Sequence, residues 1–176
     1  MIWLTADLHL DHEKIISHCD RPFVSTHEMN ETMIGGINSA VDEKDQLFIL
    51  GDFCKNYSKG RLLFWRNQIQ CRHVILIHGN HDPKTKQGLP KQRLSEVFTS
   101  VFQRLTLSLD YGIFVLDHYP LESWDRRIHG SFHFHGHSHG KSPFQTHRLD
   151  VGVDCHNFKP ISIFTAFTLA SAAIGV

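Results

Sequence analysis

Residues 74–82 read VILIHGNHD, a short apolar run that passes without a break into a cluster carrying two imidazoles, an amide and a carboxylate. The run VILI has the length and β-branched content of a buried strand, and the glycine lets the chain turn sharply where the polar residues begin. The same grammar occurs twice upstream: IWLTA at 2–6 leads into Asp7 and His9, and LFIL at 47–50 leads into Gly51 and Asp52. Helical patterns separate the three runs. Ser25 and Glu28 form a capping box, after which Met29, Met33, Ile37 and Val41 recur every four residues, although Gly35 and Gly36 weaken the pattern. A second helix is expected from near Ser58, with Leu62, Trp65 and Ile69 on one stripe. The order βαβαβ predicts a parallel sheet, and ligands of such sheets gather beyond the carboxyl ends of the strands.

The second half of the chain changes character. RLTLSLDY at 104–111 alternates, and GIFVLDHYP, FHFHGHSHG and HRLDVGVD follow with turn residues between them, as in antiparallel or mixed strands with short connections. Phe132 and Phe134 are expected to face the core and Gly136 to end their strand. The tail after Pro160 reads either as a strand or as a last helix capped by Ser162. No repeat, low-complexity tract or linker divides the 176 residues, so residues 1–176 read as a single domain.

Composition narrows the function. An apolar share of 41% with 11% aromatics excludes a disordered chain, and eighteen basic residues cancel eighteen acidic ones. That balance argues against a broad electrostatic footprint for nucleic acid or an anionic membrane, so an anionic substrate needs a local attractor. Fifteen histidines are in excess, and neutral imidazole is the commonest metal ligand. Cys19, Cys54, Cys71 and Cys155 show no metal-binding or disulfide spacing and read as reduced thiols. MIWLTADLHLD lacks the pattern of a secretory signal, and ISIFTAFTLASAAIGV falls short of the roughly 20 residues of a spanning helix. A cytoplasmic protein, monomeric or homodimeric through an exposed strand edge, is the expectation.

Each polar fragment alone has a bland explanation as a turn or a helix cap. Together they form an ordered set: Asp-x-His (Asp7, His9), Gly-Asp (Asp52), Gly-Asn-His-Asp (Asn80, His81, Asp82), His118, and Gly-His-x-His (His137, His139). This set, spanning residues 7–139, resembles the calcineurin-like metallophosphoesterase superfamily, and DLHLDHEKII, RPF and GDF look like its compact bacterial and phage-type members. The resemblance implies an α/β fold, a four-layer α/β/β/α sandwich of mixed sheets with a dimetal site at the loop edge. It implies Asp7, His9, Asp52 and His139 on one ion and Asp52, Asn80, His118 and His137 on the other. Imidazole and carboxylate donors suit divalent transition ions, with manganese expected and iron, zinc, nickel or cobalt as alternatives.

The implied reaction is hydrolysis of a phosphoester, a phosphodiester in preference, by in-line attack of a metal-bridging hydroxide. His81 would be general acid and Asp82 would orient or charge-tune it. Two ions carry about +4, and two carboxylates and the hydroxide remove about three, which leaves the local attractor that the overall charge lacks. Arg21 in RPF reads equally as a phosphate contact or as the partner of a nearby acid. His12 and His135 are weaker candidates for substrate contact, His133 reads as a polar residue on an extended segment, and Asp150 and Asp154 read as turn residues. Lys84, Lys86, Lys91 and Arg93 form a basic run that reads as a solvated loop or a substrate contact. The alternatives are a nuclease using the same centre, a phosphomonoesterase, and a non-catalytic interaction protein on the same fold.

Overall fold

The computed structural model describes residues 1–172. The three apolar runs form strands β1 (Ile2–Thr5), β2 (Gln46–Ile49) and β3 (His73–Ile77), and a fourth, β4 (Ser100–Phe102), joins them. Two helices precede β2: α1 (Glu13–His18), which no sequence pattern announced, and α2 (Thr26–Ala40). Helix α3 (Lys59–Gln68) leads to β3. The first sheet has the order β4-β3-β2-β1-β9, parallel except for β9 (Ile161–Ser162) at its edge. Strands β5 (Arg104–Leu109), β6 (Gly112–Asp117), β7 (Phe132–His135) and β8 (Arg148–Asp150) form the second sheet in sequence order. Its β5–β6 pair is an antiparallel hairpin, whereas β6, β7 and β8 are parallel.

Strand alternation builds two cores. One face of the first sheet offers Leu47, Ile49, Val74 and Leu76 to Met29, Met33 and Ile37 of α2 and to Leu62 and Trp65 of α3. The other offers Leu4, Phe48, Leu50, Ile75 and Ile77 to Phe114, Leu116, Phe132 and Phe134 of the second sheet. The architecture is the four-layer α/β/β/α sandwich of mixed sheets. The layer outside the second sheet is thin: the Trp124 ring lies 5.2 Å from that of His133, and a 3-10 turn at Arg127–His129 follows. Helix α4 (Ile163–Ala172) touches β1 and β9 of one sheet and β7 and β8 of the other, and so closes the gap between them.

Local chemistry sets the helix ends. The Ser25 hydroxyl accepts a hydrogen bond from the Glu28 amide at 3.1 Å, and Ser58 does the same for Arg61 at 3.3 Å. The two glycines of α2 differ. A Cβ on Gly36 would meet the Phe158 carbonyl oxygen at 2.7 Å, so its absence permits close packing, whereas Gly35 faces open space. The tail satisfies both sequence readings in succession: β9 ends at Ser162, whose hydroxyl then caps α4 by accepting from the Thr165 amide at 3.0 Å. Residues 173–176 of the apolar tail lie outside the described residues. No described helix is long and apolar enough to cross a membrane.

Candidate metal centre

The carboxyl ends of β1, β2, β3, β6 and β7 meet at one edge, and backbone bonds lock them there. The Asp7 amide donates to Gly51 O at 3.1 Å, Val153 N to Ala6 O at 3.1 Å, and Gly136 N to His118 O at 3.1 Å. Glycine is required at this seam because the strands approach too closely for a side chain. A Cβ on Gly136 would sit 2.7 Å from Asp7 Oδ2, and one on Gly51, at φ +91°, would sit 2.3 Å from the His118 ring.

All seven expected ligands converge here. Asp7, His9, Asp52 and His118 are buried. His9 Nε2 lies 3.5 Å and His118 Nε2 lies 3.6 Å from Asp52 Oδ2, so this carboxylate stands between the two halves of the cluster. Asn80 Oδ1 is 2.7 Å from His118 Nε2 and 2.9 Å from His137 Nδ1. The His9 and His139 rings stack at 5.4 Å on the other side. One ligand atom each of Asp7, His9 and His139 lies within 4.8 Å of the other two, and the same holds for Asp7, Asp52 and His118.

The backbone bends to achieve this. Asp7, His9, Asp52, His137 and His139 all adopt positive φ, between 48° and 68°. Non-glycine residues enter that region rarely and at a cost, and such strain collects where surrounding structure over-determines a functional geometry.

The electrostatics of the cluster favour cations. Burial pushes Asp7 well above the usual carboxylate range, and the neighbouring Asp52 and Asp150 add to the rise; Asp52 is raised chiefly by burial as well. Burial likewise pushes His9 and His118 below the ordinary imidazole range, toward the neutral form that ligates metals. Asp7 Oδ1 and His9 Nε2 are buried without a hydrogen-bond partner. Unpaired buried donors and acceptors are costly, and a cation is what two carboxylates beside neutral imidazoles would accept. The residues fit divalent ions, and the absence of thiolates from these two groups matches nitrogen- and oxygen-preferring metals.

Around the ligands stands a supporting shell. His139 Nδ1 is 2.7 Å from Asp154 Oδ2, which leaves Nε2 to face the cluster, and His118 Nδ1 is 2.8 Å from Leu50 O. Although burial pulls it upward, His139 and Arg21 hold the Asp154 carboxyl down at about 2. Asp150 accepts from Ser138 Oγ at 2.6 Å and from Gly140 N at 2.9 Å, and thereby shapes the loop carrying His137 and His139. Reading Asp150 and Asp154 as plain turn residues missed this. The signal was present in LDVGVD, another strand ending in acids.

Other sequence expectations need correction. Of the two equal readings of Arg21, the partner of an acid is the one found, and not the phosphate contact: its guanidinium is buried, paired with Asp154 at 2.7 and 2.8 Å and bonded to the carbonyls of Asp7 at 2.7 Å and Leu8 at 3.2 Å. Asp82 does not orient the His81 imidazole. Its carboxylate accepts from the amides of Gly79 (2.8 Å), Asp52 (3.0 Å) and Phe53 (3.1 Å), so it pins two ligand loops together. His135 is buried against Gly136 O at 2.8 Å and cannot face substrate. His133 does lie on an extended segment, strand β7, and there it is fully buried, bonded to Val115 O through Nδ1.

His12 and His81 remain at the mouth. The His12 and His81 rings lie 5.3 and 5.4 Å from that of His9, and the His81 amide donates to Asp52 Oδ1 at 2.8 Å.

Comparison with known proteins finds relatives of similar size. An uncharacterised protein of Methanocaldococcus jannaschii is 29% identical over 169 residues, covering 92% of this chain and 86% of its own. The gene 66 protein of mycobacteriophage L5 is 23% identical over 179 residues, with 86% of each chain covered. A crystal structure of a protein of unknown function from Aquifex aeolicus superposes with a TM-score of 0.75 at 20% identity, covering 96% of this chain and 98% of that one. No family model matches the chain. The likeness to the Aquifex structure extends over the whole domain and establishes a shared fold.

Proposed function

We propose that this protein is a metal-dependent phosphoesterase of the calcineurin-like kind that prefers phosphodiesters. The observation that carries this reading is the buried pair Asp7 and Asp52 among neutral imidazoles, with Asp7 Oδ1 and His9 Nε2 unpartnered. Asp7, His9, Asp52 and His139 would hold one divalent ion and Asp52, Asn80, His118 and His137 the other. When bound, such a pair supplies the positive charge that holds phosphoryl oxygens and acidifies water at the centre. His81 stands beside Asp52 at the open mouth and would give its proton to the leaving oxygen. Asp82 fixes the loop that presents it, through three backbone amides, and Arg21 and Asp154 hold His139 in register.

The test is hydrolysis of bis(p-nitrophenyl) phosphate and p-nitrophenyl phosphate with added Mn²⁺ and with chelator, alongside metal analysis. The diester should be the better substrate, and chelation should abolish turnover of both. His81→Ala should keep its metal content and lose about 10²–10⁴-fold on esters with poor leaving groups, with a much smaller loss on the activated aryl diester. Equal losses on both kinds of ester would contradict the acid role.

A further inference from the structure

Beside the ligand Asn80 a cleft of about 490 Å³ opens where the chain crosses from the first sheet to the second, between the end of β4 and the start of β5. Its walls include Asn80, Lys84, Arg104, Asp117 and Tyr119. Lys84 comes from the basic run of the sequence, and its ammonium donates to Asn80 O at 3.1 Å, which holds the cation at the rim of the cluster. Arg104 faces Asp117 across the β5–β6 ladder and donates to it through Nε at 2.6 Å. Among the described residues that is its one hydrogen bond, so the two Nη groups are available to a ligand. The Tyr119 ring packs edge-on at 5.0 Å from His118 and 4.7 Å from His137, yet the residue is 44% exposed and presents its remaining surface to the cleft.

A volume of this order accommodates a small organic group. An exposed aromatic wall suits a planar ring, and the two cations outnumber the single carboxylate, which Arg104 already occupies. A phosphomonoester would leave this surface unused. A phosphodiester with a further phosphate one unit along would fill it, because cations that track a backbone and aromatic rings on which bases stack are the recurring elements of single-strand recognition.

We propose that this cleft is the subsite for the nucleotide flanking the scissile phosphate, its base against Tyr119 and its next phosphate between Lys84 and Arg104. The substrate class is accordingly a single-stranded nucleic-acid fragment. The local pair of cations answers the neutral overall charge, which argued only against a broad footprint. The inference rests on the phosphoesterase reading for the chemistry, though not for the binding.

The experiment compares the parent with Lys84→Gln, Arg104→Gln and Tyr119→Leu, each checked for an unchanged melting temperature. Steady-state hydrolysis of an oligothymidylate and of bis(p-nitrophenyl) phosphate is measured with Mn²⁺, and binding of a fluorescent oligothymidylate is measured by anisotropy with chelator, where no turnover occurs. Each variant should raise KM for the oligothymidylate about tenfold and weaken binding in chelator in parallel, and Lys84→Gln and Arg104→Gln should keep kcat and the aryl ester within about twofold. Unchanged oligothymidylate constants, or equal losses on the aryl ester in Lys84→Gln and Arg104→Gln, would overturn the subsite. Absence of aryl-ester turnover in the parent with every metal would remove the phosphoesterase reading, and the binding measurement would then decide the cleft alone.

Discussion

Replacing Arg21 with methionine should unfold part of what the proposed metal centre stands on without replacing any of its seven proposed ligands. The guanidinium pairs with both oxygens of Asp154 and bonds to the carbonyls of Asp7 and Leu8, and its side chain is fully buried. Methionine fills much of the volume but leaves Asp154, only 9% exposed at its side chain, with His139 as its remaining partner. Breaking one side of a buried ion pair costs about 3–5 kcal/mol, and two stranded carbonyls add to that in a non-additive way. Against a total stability of about 5–15 kcal/mol this is a large fraction, and a domain of this size would lose about 6–20 °C in Tm. His139 would also lose the fixed acceptor on Nδ1, for which a fall of about 10–100-fold in metal affinity is the usual consequence. Scanning calorimetry with and without Mn²⁺, together with equilibrium dialysis, reads both effects. Arg21→Lys should recover part of the stability, since the charge returns without the planar fork. A Tm within about 2 °C of the parent, accompanied by a raised KM for phosphoesters, would refute the reasoning and return Arg21 to the substrate.

Two further perturbations separate space and charge. Gly136→Ala would force a methyl group to 2.5 Å from Ala6 Cβ and 2.7 Å from Asp7 Oδ2, and should cost about 1–3 kcal/mol and loosen metal binding. Gly35→Ala, with nothing within reach, should stabilise by about 0.5–1 kcal/mol; urea midpoints of the two variants moving the same way would contradict the contrast. Burial holds His133 neutral down to about pH 4, well below the usual imidazole value near 6.5. Between those values the unfolded chain binds the proton and the folded one does not, so stability is full above pH 6.5 and falls by roughly 3 kcal/mol as pH drops to 4. Urea unfolding in chelator across that window should show a shallower decline in His133→Gln than in the parent, and identical slopes would count against the assignment.

The sequence by itself determined the strands that carry the chemistry, because buried parallel strands must be continuous apolar runs and their polar ends must follow at once. VILI, LFIL and IWLTA therefore announced β3, β2 and β1, and the acids and imidazoles after them marked the edge where a ligand sits. Capping chemistry at Ser25 and Ser58 is equally local, and it was legible for that reason. What tertiary structure decided is the identity of each partner across long separations. Arg21 meets Asp154 from 133 positions away, and Asp82 reaches the Asp52 amide from 30. No periodicity encodes such pairings, so whether Arg21 served a phosphate or an acid was open until the fold closed over it. The alternation in FHFHGHSHG raised a question of the same kind. Four histidines share a spacing, yet the strand ends at His135, so His133 and His135 are buried as supports while His137 and His139, turned by left-handed backbone, join the cluster. A period of two fixes the face of a side chain only while the strand lasts, and packing alone decides where the strand stops.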